Sequence, residues 1–177
     1  MSREDFIKNF APIAVSVTRG TGIFPQTLLA MAIVESSNSQ GEVLKGKTVQ
    51  YFNLFGIKDS ASWKGRTVLL NTPNDSKKQS RFRVYNSFSE SMKDYINFLK
   101  FENSRYVKGG VFKARDYSEQ IALIAKAGYA ENPNYFPIVK SIADKINKIL
   151  PEAKEFSKLI LPIAFFLMLA LSDDGKK

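Results

Sequence analysis

One stretch of this chain limits its folding options more than any other. Residues Pro25 to Ser37 read Pro-Gln-Thr-Leu-Leu-Ala-Met-Ala-Ile-Val-Glu-Ser-Ser. Pro25 suits the first position of a helix, where its missing N–H would have had no intrahelical partner. The residues after it are apolar almost all round, so the helix is stable only with other elements packed against every side. Glu35 closes the run. Leu28, Met31 and Ala32 lie seven, four and three residues before it and share its helical face. A carboxyl group that continues an apolar stripe has two options. It can turn outward into water where the helix ends, as charged side chains usually do. Or it can stay enclosed, where burial disfavours the anion and raises its pKa. The second option yields a carboxylic acid still protonated near neutral pH, the state a general acid requires.

The rest of the composition works by exclusion. The 177 residues fit one domain, and a hydrophobic fraction of 44% is enough for a core. There is no histidine and no cysteine. That removes Ser-His-Asp triads, thiol nucleophiles, disulfides and imidazole or thiolate metal sites. No metal or cofactor is expected, and any catalysis has to rest on Asp, Glu, Tyr, Lys or Ser. The formal net charge of +9 favours an anionic partner: nucleic acid, an anionic membrane face or an acidic wall polymer. No stretch interleaves basic and aromatic residues on one face, so nucleic acid is not an expected partner. The opening Met-Ser-Arg-Glu-Asp-Phe is charged where a secretory signal needs an apolar run, so no signal peptide is expected.

Periodicity predicts a mostly helical chain. Ser2 and Asp5 stand at capping-box spacing before a helix to about Arg19, with Phe6, Ile7, Phe10, Ile13, Ala14 and Val17 on its apolar face. Asn38 to Gln50 reads as a loop. Arg66–Leu70 and Arg81–Tyr85 are β-prone runs joined by the turn-rich Asn71–Ser80, which together predict a small, exposed hairpin. Ser87 and Glu90 form a second capping box, opening a helix to about Phe101. Tyr117–Ala127 is a further helix, stopped by Gly128. Asn132-Pro133 starts the last, which runs to Pro151 with Pro133 at its first position. Beyond it, Leu159–Leu171 is thirteen apolar residues in a row. Such a helix would reach about 20 Å, short of the roughly 30 Å hydrocarbon core of a bilayer. An all-apolar segment still needs a cover: a membrane, with flanking lysines extending the span, a partner protein, or the domain itself.

Several short segments, taken in order, resemble glycoside hydrolase family 73, the glucosaminidases of flagellar-rod and autolysin type. Phe6–Ala14 is similar to the family's opening helix. Thr21-Gly-Ile-Phe-Pro followed by Leu28–Ser36 is similar to the stretch that ends in its catalytic Glu-Ser. Asn53-Leu-Phe-Gly-Ile-Lys58 is the most specific match. Phe82-Arg-Val-Tyr85 is similar to its Phe-Arg-x-Tyr strand, and Ala127-Gly-Tyr-Ala130 with Pro133 and Tyr135 to its Gly-Tyr-Ala box. The resemblance implies a lysozyme-like α+β fold, mainly α, with one hairpin lobe flanking a cleft. It places the enzyme domain at residues 1–151 and leaves 152–177 as a separate tail. It also implies a cell-envelope or virion enzyme that cleaves the β-1,4 bond after N-acetylglucosamine in peptidoglycan glycan strands. Glu35 would be its general acid, with Asn53, Phe55, Tyr85, Tyr129 and Tyr135 around the groove. For Phe55 core packing is the competing role, for Tyr85 and Tyr129 a hydrogen-bonded interior role, and for Asn53 a turn. Trp63 is either hairpin core or a sugar-stacking platform.

The chain departs from the family at two places. Trp-Gly after the catalytic Glu-Ser is replaced by Asn38-Ser39, and the hairpin Thr-x-Glu by Thr72-Pro73-Asn74. The family's second carboxylate is therefore missing from its usual place. Asp75, one position on, is the first candidate to replace it, and Glu42 and Asp59 follow. The substrate's own N-acetyl group is the other route, with Tyr129 orienting it. A chain that had lost catalysis and kept wall binding would show the same departure.

Overall fold

In the computed structural model the described residues are 1–150, apart from Ser39, Pro73 and Asn74, with backbone only for 72 and 75–77. The run Leu159–Leu171 lies outside them. The apolar helix, α2 (Pro25–Ser36), is the centre of the fold. Leu28, Leu29, Ala30, Met31, Ala32 and Ile33 are all fully buried. Two neighbouring helices cover it, α1 (Arg3–Thr18) and α5 (Tyr117–Lys126). A last helix, α6 (135–150), is tied to it where Gln26 Nε2 donates to Asn147 Oδ1 at 2.8 Å. Phe6, Ile7, Phe10, Ala11 and Ala14 form the inner face of α1, with Phe6 and Phe10 stacked at 4.4 Å. Each fully buried Leu, Ile or Met contributes about 2 kcal/mol, so covering α2 is the largest single gain in the fold.

Entry into α2 depends on Gln120 of α5. Its Oε1 accepts from Phe24 N at 2.9 Å, and its Nε2 donates to the carbonyls of Gly22 and Val111. Gly22 has φ +84°, and a Cβ there would meet the Phe112 carbonyl at 2.8 Å, so only glycine fits.

The hairpin comprises β1 (Thr67–Thr72) and β2 (Asp75–Arg83), paired antiparallel from Thr67 opposite Arg83. It is longer than the sequence suggests. Leu70 pairs with Ser80 and Asn71 with Gln79, so most of the polar segment expected to be a connection is strand. Backbone ladder bonds form there without an apolar face to advertise them. Next comes α3 (Phe88–Asn97). Ser87 Oγ accepts from Glu90 N at 3.1 Å, as the capping box predicts. The helix does not continue to Phe101. Its last turn widens into a π turn, Phe98–Glu102, followed by α4 (Ser104–Lys108). Pro133 lies in a turn, and helical structure begins two residues later than expected, at Tyr135.

The loop between α2 and β1 is held by Asn53, which is fully buried. Its Nδ2 donates to the carbonyls of Ile57 and Arg83, both at 2.9 Å, and its Oδ1 accepts from Ile57 N at 3.0 Å. One side chain thus closes the Asn53–Ile57 turn and fastens it to β2. Asn53→Ala removes three buried hydrogen bonds, although the Ile57 carbonyl still accepts from Arg83 N, and should cost about 3 kcal/mol. Urea unfolding of the variant at neutral pH measures this, and an unchanged midpoint would contradict the role.

Candidate active site

Glu35 occupies the last turn of α2 and is half-buried. Its Oε1 accepts a 2.7 Å hydrogen bond from Tyr135 Oη, which also lies 3.2 Å from Met31 Sδ, one helical turn before Glu35. Burial pushes the Glu35 carboxyl above the usual carboxylate range, and the Tyr135 hydrogen bond opposes that rise only in part. The apolar surface of α2 therefore favours the carboxylic acid over the carboxylate. Its surroundings are aromatic. Tyr135 and Tyr129 have ring centres 5.5 Å apart, Tyr129 meets Tyr95 at 6.2 Å, and Tyr95 stacks on Phe55 at 4.0 Å. Burial raises the phenols of Tyr95, Tyr129 and Tyr135 above their ordinary range.

These groups open on a cavity of about 540 Å³, a size usual for small-ligand sites. Glu35, Phe55, Tyr129 and Tyr135 line one part of it. Lys58, Asp59, Ser60, Arg83, Glu102 and Arg105 line the rest. Arg83, the last residue of β2, organises this second group although its side chain is only 1% exposed. Nη1 donates to Asp94 Oδ2 at 2.8 Å, Nη2 to Glu102 Oε2 at 2.6 Å and Ser60 Oγ at 2.8 Å, and Nε to the Lys58 carbonyl at 3.1 Å. Trp63 covers the guanidinium at 4.8 Å. Tyr85 Oη donates to Asp94 Oδ2 at 2.7 Å. The hydrogen bond from Arg83, with that from Ser60, holds the Glu102 carboxyl below its ordinary range despite some desolvation. One cavity therefore contains an acid shifted toward its neutral form and an acid shifted toward its ionised form.

Of the residues singled out in the sequence, Glu35, Phe55, Asp59, Tyr129 and Tyr135 come together in this cavity. Asn53 and Tyr85 are buried and bonded inside the protein, and Trp63 packs over Arg83 and Tyr85. None of these three lines the cavity. Asp75 opens β2 opposite Thr72. Sequence reasoning passed over Arg83, Asp94, Glu102 and Ser60. Arg83 stood inside the motif Phe82-Arg-Val-Tyr85, and an arginine between two aromatics on a strand was the available signal. Glu102 had none, because helical periodicity does not report a π turn.

Comparison with known proteins bears on the family and the fold. The family model for glucosaminidases, described as mannosyl-glycoprotein endo-beta-N-acetylglucosaminidase, matches residues 11–154. The chain is 30% identical over 162 residues to the peptidoglycan hydrolase FlgJ of Salmonella typhimurium, covering 89% of this chain and 48% of that protein. It is 32% identical over 155 residues to a probable N-acetylmuramidase of Lactococcus lactis, covering 82% of this chain and 34% of that protein. The chain thus spans about half or less of these curated relatives. The glycoside hydrolase domain of Salmonella typhimurium FlgJ superposes with a TM-score of 0.67 at 27% identity, over 92% of this chain and 99% of that one. The catalytic domain of the autolysin Auto from Listeria monocytogenes gives 0.62 at 25% identity, over 85% and 86%. The fold is the lysozyme-like arrangement expected, helical with one small antiparallel sheet.

The Tyr135 hydrogen bond makes the Glu35 environment testable. That bond favours the anion, so Tyr135→Phe should move the Glu35 titration to higher pH. Carboxyl-carbon NMR titration of both proteins measures this. A shift to lower pH would show that the phenol is not the group stabilising the carboxylate.

Proposed function

The chain belongs to the glucosaminidase family, and on that premise we propose that it is a peptidoglycan hydrolase cleaving the β-1,4 bond after N-acetylglucosamine. The observation that supports this most is Glu35, an acid whose pKa burial raises, at the edge of a cavity and hydrogen-bonded by a phenol. In this reading a glycan strand lies in the cavity and Glu35 gives its proton to the glycosidic oxygen as the bond to the anomeric carbon breaks. Phe55 and the stacked phenols offer apolar faces to the sugar rings, and Tyr129 orients the N-acetyl group. Only the protonated form of Glu35 donates, so activity falls as pH rises through its raised pKa. The high positive charge suits an anionic wall polymer.

Placement at the cell envelope follows from that substrate, with a flagellar or virion-borne enzyme as the specific settings. The run Leu159–Leu171 adds retention at a membrane, on the strength of its sequence alone. Among the described residues no helix is long and apolar enough to cross a membrane. The chain should float with liposomes, and a version ending at Pro151 should not. Equal behaviour of the two would remove the tail from membrane binding.

The central test is mass spectrometry of digested peptidoglycan. The chain should release fragments ending in reducing N-acetylglucosamine. Glu35→Gln should remain folded and lose about 100-fold to 10,000-fold in rate, the range for general acid catalysis. Wall pelleting with no new reducing ends from the parent would favour a binding protein, the reading motivated by the missing hairpin glutamate. Full lysis by Glu35→Gln would overturn the assignment of the acid.

A further inference from the structure

The family's usual second carboxylate is absent from the hairpin, and the cavity offers two others, Asp59 and Glu102, of which Glu102 is held in place by hydrogen bonds from Arg83 and Ser60. Glu102 lines the same cavity as Glu35 and reaches it from a different element. The π turn puts it there. Taking one extra residue into the last turn rotates the next residues by about 100° relative to α3. Leu99 remains buried, Phe101 is 73% exposed, and the Glu102 side chain, 19% exposed, meets Arg83 and Ser60. Such turns are rare and occur often at functional sites.

We propose that Glu102 is the general base of the reaction, the carboxylate that takes a proton from the attacking water. This rests on the reading of Glu35 as the acid. Glu35 protonates the glycosidic oxygen while the bond from that oxygen to the anomeric carbon breaks. A water adds its oxygen to the anomeric carbon and gives a proton to Glu102. The enzyme is then left with Glu35 ionised and Glu102 protonated, and one proton exchanged through solvent restores both. Hydrogen bonds from Arg83 and Ser60 to Glu102 Oε2 stabilise the anion between turnovers. They also make this oxygen a poor nucleophile. Direct attack by a water activated in this way inverts the anomeric carbon. The two acids are shifted in opposite directions, one enclosed among phenols and one against a guanidinium, which is the direction of separation an acid and a base need.

The experiment uses the full chain on a soluble peptidoglycan glycan fragment, comparing parent, Glu35→Gln, Glu102→Gln and Glu102→Asp. Glu102→Gln is expected to lower kcat at least about 100-fold with KM within about threefold. Its pH profile should lose the acid limb, since the parent loses activity as pH falls through the lowered Glu102 pKa. Glu102→Asp keeps the charge and should regain the limb and part of kcat. A carboxylate that merely anchored the π turn to β2 would change the thermal midpoint and leave the limb in place. Proton NMR of the first-formed product should show the inverted anomer. Retention at the anomeric carbon, or Glu102→Gln within about threefold of the parent, would overturn the proposal. If Glu35→Gln is inert while Glu102→Gln is intact, Glu102 alone is wrong. If Glu35→Gln is active, the functional reading itself fails.

Discussion

The structure depends on burying a helix with no polar side. Leu28 to Ile33 of α2 present no surface to water, so α1 and α5 have to close round it, and the site inherits its chemistry from that enclosure. Glu35 sits where the apolar run ends. The packing that stabilises the helix is the same packing that desolvates the carboxyl. Fold stability and acid strength are therefore coupled here. A substitution that loosened the cover of α2 would hydrate Glu35 and return it toward an ordinary carboxylate.

A second constraint is the buried cation at the end of β2. Arg83 joins that strand to α3 through Asp94, to the π turn through Glu102 and to the preceding loop through Ser60 and the Lys58 carbonyl. Removing one partner from such a cluster leaves a buried charge uncompensated, which costs more than the bond itself was worth. Asn53 adds neutral links between the same loop and the same strand. The cavity wall is thus assembled by polar groups, whereas its acid is held by apolar ones.

That division explains what could be read from the sequence. The helices announced themselves through apolar periodicity and through caps such as Ser87 with Glu90, and α2 with Glu35 was visible at once. Tyr129 and Tyr135 entered through a motif, and they reach the cavity. Asn53, Tyr85 and Trp63 were visible as residues, but sequence carries no information on which way a polar or aromatic side chain faces. The interior uses all three for bonds and packing around Arg83. The polar strand segment 75–80 lacked alternation, and the π turn lacked any periodic signature at all. What was hidden is whatever depends on contacts between residues far apart in the chain, and the Arg83 cluster is made entirely of those.

A chain without histidine has to set two carboxyl groups in different states using only solvent exclusion, phenols and cations. Phenols suit the first task, because they stay neutral when buried and can point a hydrogen bond without adding a charge. A positive group beside Glu35 would favour its anion and oppose the effect of burial. The guanidinium suits the second task, because it keeps its own proton and so shifts a neighbouring carboxyl toward its ionised form. Keeping the two apart then matters as much as having both. Tyr135 stands at the start of α6 and Arg83 at the end of β2, so different elements present them to one cavity. The hairpin's contribution to the site in this chain is accordingly the arginine at its base, which fixes the charge state of an acid supplied by another segment.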